Sequence, residues 1–117
     1  MILIIDDDEI MCECIVRACG PDIKVRVFSN GIEAMAEIDE SNMPDLVFLD
    51  ILLDGPDGFT FLNELLSYSD TGKIPVVIVT SLSLDDKDLS EYGVVGVLNK
   101  DTMKPEEIFS YVEKYVS

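Results

Sequence analysis

Asp45-Leu46-Val47-Phe48-Leu49-Asp50 is a short apolar run held between two carboxylates, and Ile51-Leu52-Leu53-Asp54-Gly55-Pro56-Asp57-Gly58-Phe59 follows it at once. A nearly continuous apolar run bounded by turn residues reads as a strand buried on both faces, the kind found in a parallel sheet covered by helices. Asp50 then stands where that strand runs out. Open α/β sheets carry their chemistry in the crevice at the carboxyl ends of their strands, which would put Asp50 within reach of a ligand while a rigid element holds it. Opening a turn is equally a job for aspartate, so this stretch alone leaves both readings standing.

Upstream, Ile2 to Ile5 reads as a short buried strand that ends in Asp6-Asp7-Asp8-Glu9. Met11, Cys14, Ile15, Ala18 and Cys19 then recur at helical spacing, which predicts one inward face, and Gly20-Pro21 stops the helix. Asp8 and Glu9 suit its first turn, as cap and dipole partner. Lys24 to Phe28 reads as a second strand. Ser29-Asn30-Gly31 opens a helix with Ile32, Met35, Ala36 and Ile38 expected inward. Downstream of Asp50, Phe59, Leu62, Leu65 and Leu66 mark a third helix, closed by Ser69 to Gly72. Pro75 to Ser81 is the clearest strand, and a short helix is expected around Asp86 to Tyr92. Val94 to Leu98 makes a fifth strand, interrupted by Gly96 and ended by Asn99-Lys100. Pro105-Glu106-Glu107 opens a last helix with Ile108, Phe109, Val112 and Val116 inward. Strand and helix alternate five times, which predicts an α/β fold with a five-stranded parallel sheet and helices on both faces.

Composition bounds the function. The 117 residues suit one domain, expected to span 1–117. With 24 Asp and Glu against 8 Lys and Arg, the formal charge of −16 repels nucleic-acid phosphates and anionic lipid, so neither direct nucleic-acid binding nor membrane insertion is expected. A hydrophobic content of 48% nonetheless places the chain far from the disordered class. Cys12, Cys14 and Cys19 come without any histidine or CxxC spacing, and residues two apart on a helix diverge, so they read as helix residues in a reducing compartment. The opening Met1 to Ile5 run is too short for a signal-peptide core, and a cytoplasmic location is expected.

The strand ends can then be taken together. Strand one ends in Asp6-Asp7, strand three in Asp50, strand four in Thr80-Ser81 and strand five in Asn99-Lys100, so every candidate falls on one edge of the sheet. Three carboxylates converging there repel one another unless a hard divalent cation sits between them. Mg²⁺ is the natural guess, with Mn²⁺ as the alternative. It takes one or two carboxylates and accepts phosphate oxygens, while a lysine and a hydroxyl across the pocket would hold the remaining phosphoryl oxygens. Such an assembly is a phosphoryl-transfer site with a carboxylate nucleophile.

Asp6-Asp7, Asp50 followed by Asp57-Gly58, Thr80-Ser81 and Lys100 together resemble the acid pair, phosphoacceptor, loop signature, switch hydroxyl and lysine of response-regulator receiver domains. The resemblance covers essentially the whole chain. It implies a flavodoxin-like fold of strand order 2-1-3-4-5 and phosphorylation of Asp50 by a phosphohistidine donor, a histidine kinase or histidine phosphotransfer protein. It implies that Asp7, Asp50 and the backbone carbonyl of Leu52 bind Mg²⁺ directly and that Asp6 holds metal-bound water. Thr80, with Ser81 beside it, would reach the phosphoryl group and Lys100 would pair with it. Signalling would pass by contact to a downstream protein, and a weak homodimer is compatible with this reading.

Several positions depart from that pattern. Asp54 stands where the loop after the acceptor usually has proline, with Pro56 two residues later. Val97 replaces the usual aromatic switch residue, Asp101 replaces the proline after the lysine, and the segment from Asp101 to Lys104 is about one residue longer than usual. Leu52 and Leu82, two residues after the acceptor and the switch hydroxyl, are both apolar. Two other readings compete. Asp6-Asp7-Asp8 could be the DxD of a haloacid-dehalogenase-like phosphatase, which leaves Asp50 without a purpose; a pseudo-receiver would keep the fold without phosphorylation, against an intact set of site residues.

Overall fold

The structure, a computed structural model, describes residues 1–39, 41–52, 58–82 and 89–116. Five strands, β1 (Ile2–Ile5), β2 (Val25–Phe28), β3 (Leu46–Leu49), β4 (Val76–Thr80) and β5 (Val94–Asn99), form one parallel sheet in the order β2-β1-β3-β4-β5. Four α-helices are described: α1 (Glu9–Cys19), α2 (Gly31–Glu37), α3 (Gly58–Leu66) and α4 (Pro105–Tyr115), with 3₁₀ turns at Thr71–Lys73 and Ser90–Tyr92. This is the flavodoxin-like architecture and strand order expected from the sequence. Of the helix expected around Asp86 to Tyr92, residues 83–88 lie outside the described residues.

The reason for continuous apolar runs in the central strands is visible in how they divide. Successive strand side chains point to opposite faces. Leu3, Ile5, Val47, Leu49, Val76 and Ile78 enter the layer shared with α2 and α3, while Ile2, Ile4, Leu46, Phe48, Val77 and Val79 enter the layer shared with α1 and α4. Every residue of β1 is fully buried. Burying a large aliphatic side chain contributes roughly 1.5–3 kcal/mol, so these three strands supply much of the favourable term in folding.

Helix phases differ from the sequence expectation in instructive ways. On α1 the buried residues are Cys12, Ile15 and Cys19; Met11 and Ala18 are half-buried and Cys14 is exposed. Apolar residues fill so wide an arc of this helix that periodicity leaves its rotation open. On α2, Gly31 and Ala34 face inward, whereas Ile32 is 61% exposed and Ala36 is also exposed. A Cβ added at Gly31 would lie 3.2 Å from Phe61 Cβ, so the helices approach too closely for a large residue there. Phe61 rather than Leu66 is buried on α3, and Phe109 on α4 is exposed although Ile108 and Val112 are buried. The caps follow the sequence reading: Asp8 accepts from the Met11 amide, Asn30 accepts from the Glu33 amide, and Pro105 begins α4.

Two glycines shape the chain at opposite ends of the strands. Gly58 starts α3 against the end of β3, its amide donating to the Ile51 carbonyl at 3.0 Å. A Cβ there would fall 2.7 Å from both the Asp50 carbonyl oxygen and Ile51 Cα, which are backbone atoms without room to yield. Gly93, at φ +78°, turns the chain into β5 in the left-handed region that glycine tolerates. Gly58→Ala is therefore expected to destabilise the fold by about 1–3 kcal/mol. Gly72→Ala, whose added carbon would meet only ordinary contacts at 3.7 and 3.9 Å, is expected to be neutral or stabilising by about 0.4–1 kcal/mol. Urea unfolding of both variants checks the contrast.

Candidate functional site

The carboxyl edge of the sheet carries Asp6 after β1, Asp50 after β3, Thr80 at the end of β4 and Lys100 just past β5. Parallel pairing holds these ends level. The Asp50 amide donates to the Ile5 carbonyl, the Asp6 amide to Phe28 and the Lys100 amide to Thr80, so each functional residue is tied by its backbone to a neighbouring strand. Asp6 and Asp50 are buried to 3% and 4% exposure, and Thr80 is fully buried.

Lys100 binds this edge together. Its Nζ lies 2.9 Å from Asp6 Oδ2 and 2.9 Å from Asp50 Oδ2, bridging two buried carboxylates that would otherwise repel. Asp6 Oδ1 also accepts from the Asp8 amide at 2.9 Å, and Asp50 Oδ1 accepts from the Leu52 amide at 3.0 Å. Burial raises the Asp6 pKa; the Asp8 amide and the Lys100 ammonium oppose the rise, and the Asp50 charge adds to it. For Lys100, burial acts to lower the pKa, but the hydrogen bonds and charges of Asp6 and Asp50 prevail and hold it above the ordinary lysine value. The ammonium therefore stays charged at neutral pH.

Asp6, Asp7 and Asp50 each offer a carboxylate oxygen, and the three atoms lie within 4.8 Å of one another. A hard, all-oxygen donor set suits a divalent cation such as Mg²⁺ or Mn²⁺. Asp6 Oδ2 fits the same reading: it is buried and ion-paired to Lys100 but receives no hydrogen bond of good geometry, so a lone pair remains for a metal or its water.

The remaining candidates are placed as follows. Thr80 Oγ1 accepts from the Leu82 amide at 3.3 Å, and Ser81 is exposed beside it. Leu52 and Leu82 are 50% and 41% exposed next to Asp50 and Thr80. Asp54, Pro56 and Asp57 lie outside the described residues. The Lys100–Asp101 peptide is trans, and the Asp101 amide donates to Asn99 Oδ1 in the turn that follows. Sequence reasoning missed the contact of Lys100 with Asp6, and it missed Cys12, whose buried thiol donates to the Asp6 carbonyl at 3.5 Å. Burial, then the charges of Asp6 and Asp8, pushes that thiol up to about 11, which keeps it a neutral donor. Correct rotation of α1 was the missing signal.

Comparison with known proteins agrees with this geometry. The chain matches the family model for the response regulator receiver domain over residues 2–113. It is 33% identical over 109 residues to the nitrate/nitrite response regulator NarL of Escherichia coli K12, covering 92% of this chain and 50% of NarL. The chain spans half or less of the curated relatives it matches first. Among solved structures, the phosphorylated cyanobacterial phytochrome response regulator RcpA superposes with a TM-score of 0.73 at 26% identity, over 97% of this chain and 88% of that one. The receiver domain of NtrX from Brucella abortus shares the fold at a TM-score of 0.82 and 24% identity, over 99% and 98% of the two chains. No helix among the described residues is long and apolar enough to cross a membrane. With its strand order, its acidic strand ends and its bridging lysine, the chain belongs to the response regulator receiver domain family of two-component signalling.

Proposed function

We propose that this domain is a cytoplasmic phosphoacceptor that takes a phosphoryl group from phosphohistidine onto Asp50 and signals by protein contact. The observation that carries the proposal is the bridge from Lys100 to Asp50 and Asp6 within a cluster of three acids. In the transfer, an Asp50 carboxylate oxygen forms a bond to phosphorus as the phosphorus–nitrogen bond of the donor breaks, and the imidazole leaves with the electron pair. Asp50 is buried on a rigid strand end, which limits the directions of approach. Lys100 needs only to exchange a carboxylate oxygen for a phosphoryl oxygen, keeping its charge against the developing negative charge. Thr80 supplies a hydroxyl from the neighbouring strand, with Ser81 at the rim.

Asp7, Asp50 and the Leu52 carbonyl would hold Mg²⁺, with Asp6 holding its water; the ion would neutralise charge on the transferring oxygens. Partners are a histidine kinase or histidine phosphotransfer protein as donor and a downstream protein as receiver of the signal. A net charge of −16 favours cationic partner surfaces.

Asp50→Asn is expected to abolish incorporation of phosphate from acetyl phosphate or phosphoramidate in the presence of Mg²⁺; labelling equal to the parent would overturn the assignment. The acyl phosphate is expected to be long-lived, because the exposed side chains of Leu52 and Leu82 can neither orient nor activate water by hydrogen bonding. A Leu52→Asn, Leu82→Glu double variant should lose phosphate faster, and an unchanged hydrolysis rate removes the argument. Val97, half-buried against the layer of α2 and α3, has one stiff torsion and too little reach to act as a swinging switch. Amide shifts on adding beryllofluoride and Mg²⁺ are therefore expected to be larger around Leu52 to Phe59 than around Leu89 to Val97; equal changes would show coupling without an aromatic residue.

A further inference from the structure

We infer that Cys12 is a positioning residue for the acid pair, aiming Asp6 and Asp7 by holding the peptide between them. The inference rests on the phosphoacceptor reading above and adds a residue to it.

Asp6 is where β1 leaves the sheet. Its amide is still in the ladder, donating to Phe28, and the preceding carbonyl of Ile5 still accepts, from Asp50. The Asp6 carbonyl comes next, beyond the last ladder bond, and the contact shown for it is the Cys12 thiol at 3.5 Å, in a buried setting. A buried carbonyl without a partner costs free energy, so the thiol has a reason to stay there. The same peptide plane joins the Cα atoms of Asp6 and Asp7. Turning that carbonyl away through the ψ angle of Asp6 would swing Asp7 relative to Asp6, and the carboxylate oxygens of the two lie within 4.8 Å of each other and of Asp50.

Cys12 is itself firmly held. It is 6% exposed, packs with Ile2, Ile4 and Ile15 in the layer beneath α1, and its amide donates to the Asp8 carbonyl at 3.0 Å. Asp8 caps the same helix and donates its amide to Asp6 Oδ1. The strand end and the first turn of α1 therefore close on each other through two bonds, one to the Asp6 carboxylate and one to the Asp6 carbonyl. Cys19, buried at 1% on the same helix in the same layer, offers an internal control remote from the acids in sequence and fold.

The test is Mg²⁺ and Mn²⁺ titration of the unphosphorylated chain, followed by amide shifts or heat, alongside thermal unfolding of each variant. Cys12→Ala and Cys12→Val, which keeps volume without a donor, are expected to raise the dissociation constant about threefold or more, the scale of one lost hydrogen bond. Cys12→Ser, which keeps a donor, should stay near the parent. Cys19→Ala should lower the melting temperature and leave metal affinity unchanged. Parent-like affinity in both Cys12→Ala and Cys12→Val, failure of serine to restore it, or an equal loss in Cys19→Ala would overturn the positioning role. A parent chain that takes up no divalent ion would overturn the phosphoacceptor reading itself, and the positioning role with it.

Discussion

Two buried carboxylates sharing one ammonium set the terms for this molecule. Asp6 and Asp50 are almost without solvent, and in such surroundings a carboxylate survives as an anion only if it is paired. Lys100 does that from the far end of a strand three places across the sheet from β1. The order β2-β1-β3-β4-β5 is what lets a residue late in the chain meet one at its start. Removing the lysine would leave two uncompensated charges at the seam of both core layers. Removing an acid would leave the ammonium half-paired.

Much of this edge was legible in the sequence because it depends on counting. Apolar runs of four or five residues ending in Asp6-Asp7, Asp50, Thr80-Ser81 and Asn99-Lys100 place those residues at strand ends whatever the helices do. The parallel sheet, the helix starts at Asp8 and Asn30 and the gathering of the acids at strand ends follow from local rules that nothing overrode, whereas the strand order came with the family resemblance. Helix rotation behaved differently. Cys12, not Cys14, faces the sheet, and Ala34, not Ile32 or Ala36, faces α3. Rotation is decided by how closely two backbones approach, as between Gly31 and Phe61, and no pattern within one helix carries that distance.

The site was read in part for the same reason. Residue types and strand ends pointed to the three acids and to the lysine opposite them. Which acid the lysine would touch depends on side-chain reach across two strands, and the sequence named only the phosphoryl partner. Cys12 was passed over because a cysteine in a helix without histidine or CxxC spacing has an ordinary explanation. Its contact with the Asp6 carbonyl arises only once α1 has been turned correctly and docked.

The pairing of β4 with β5 holds a further consequence. Val76 lies opposite Val94 and Val77 opposite Gly96, so Val95 is an extra residue in the ladder. Val94 and Val97, three apart, consequently share one core layer, although strict alternation would send them to opposite sides. The bulge thus resets odd and even for the rest of β5, and with it the side on which Lys100 emerges. Side-chain identity gives this lysine its charge, but chain length between Gly93 and Lys100 gives it an address. A relative that lost one residue here could keep every motif and still turn its lysine away from the acids.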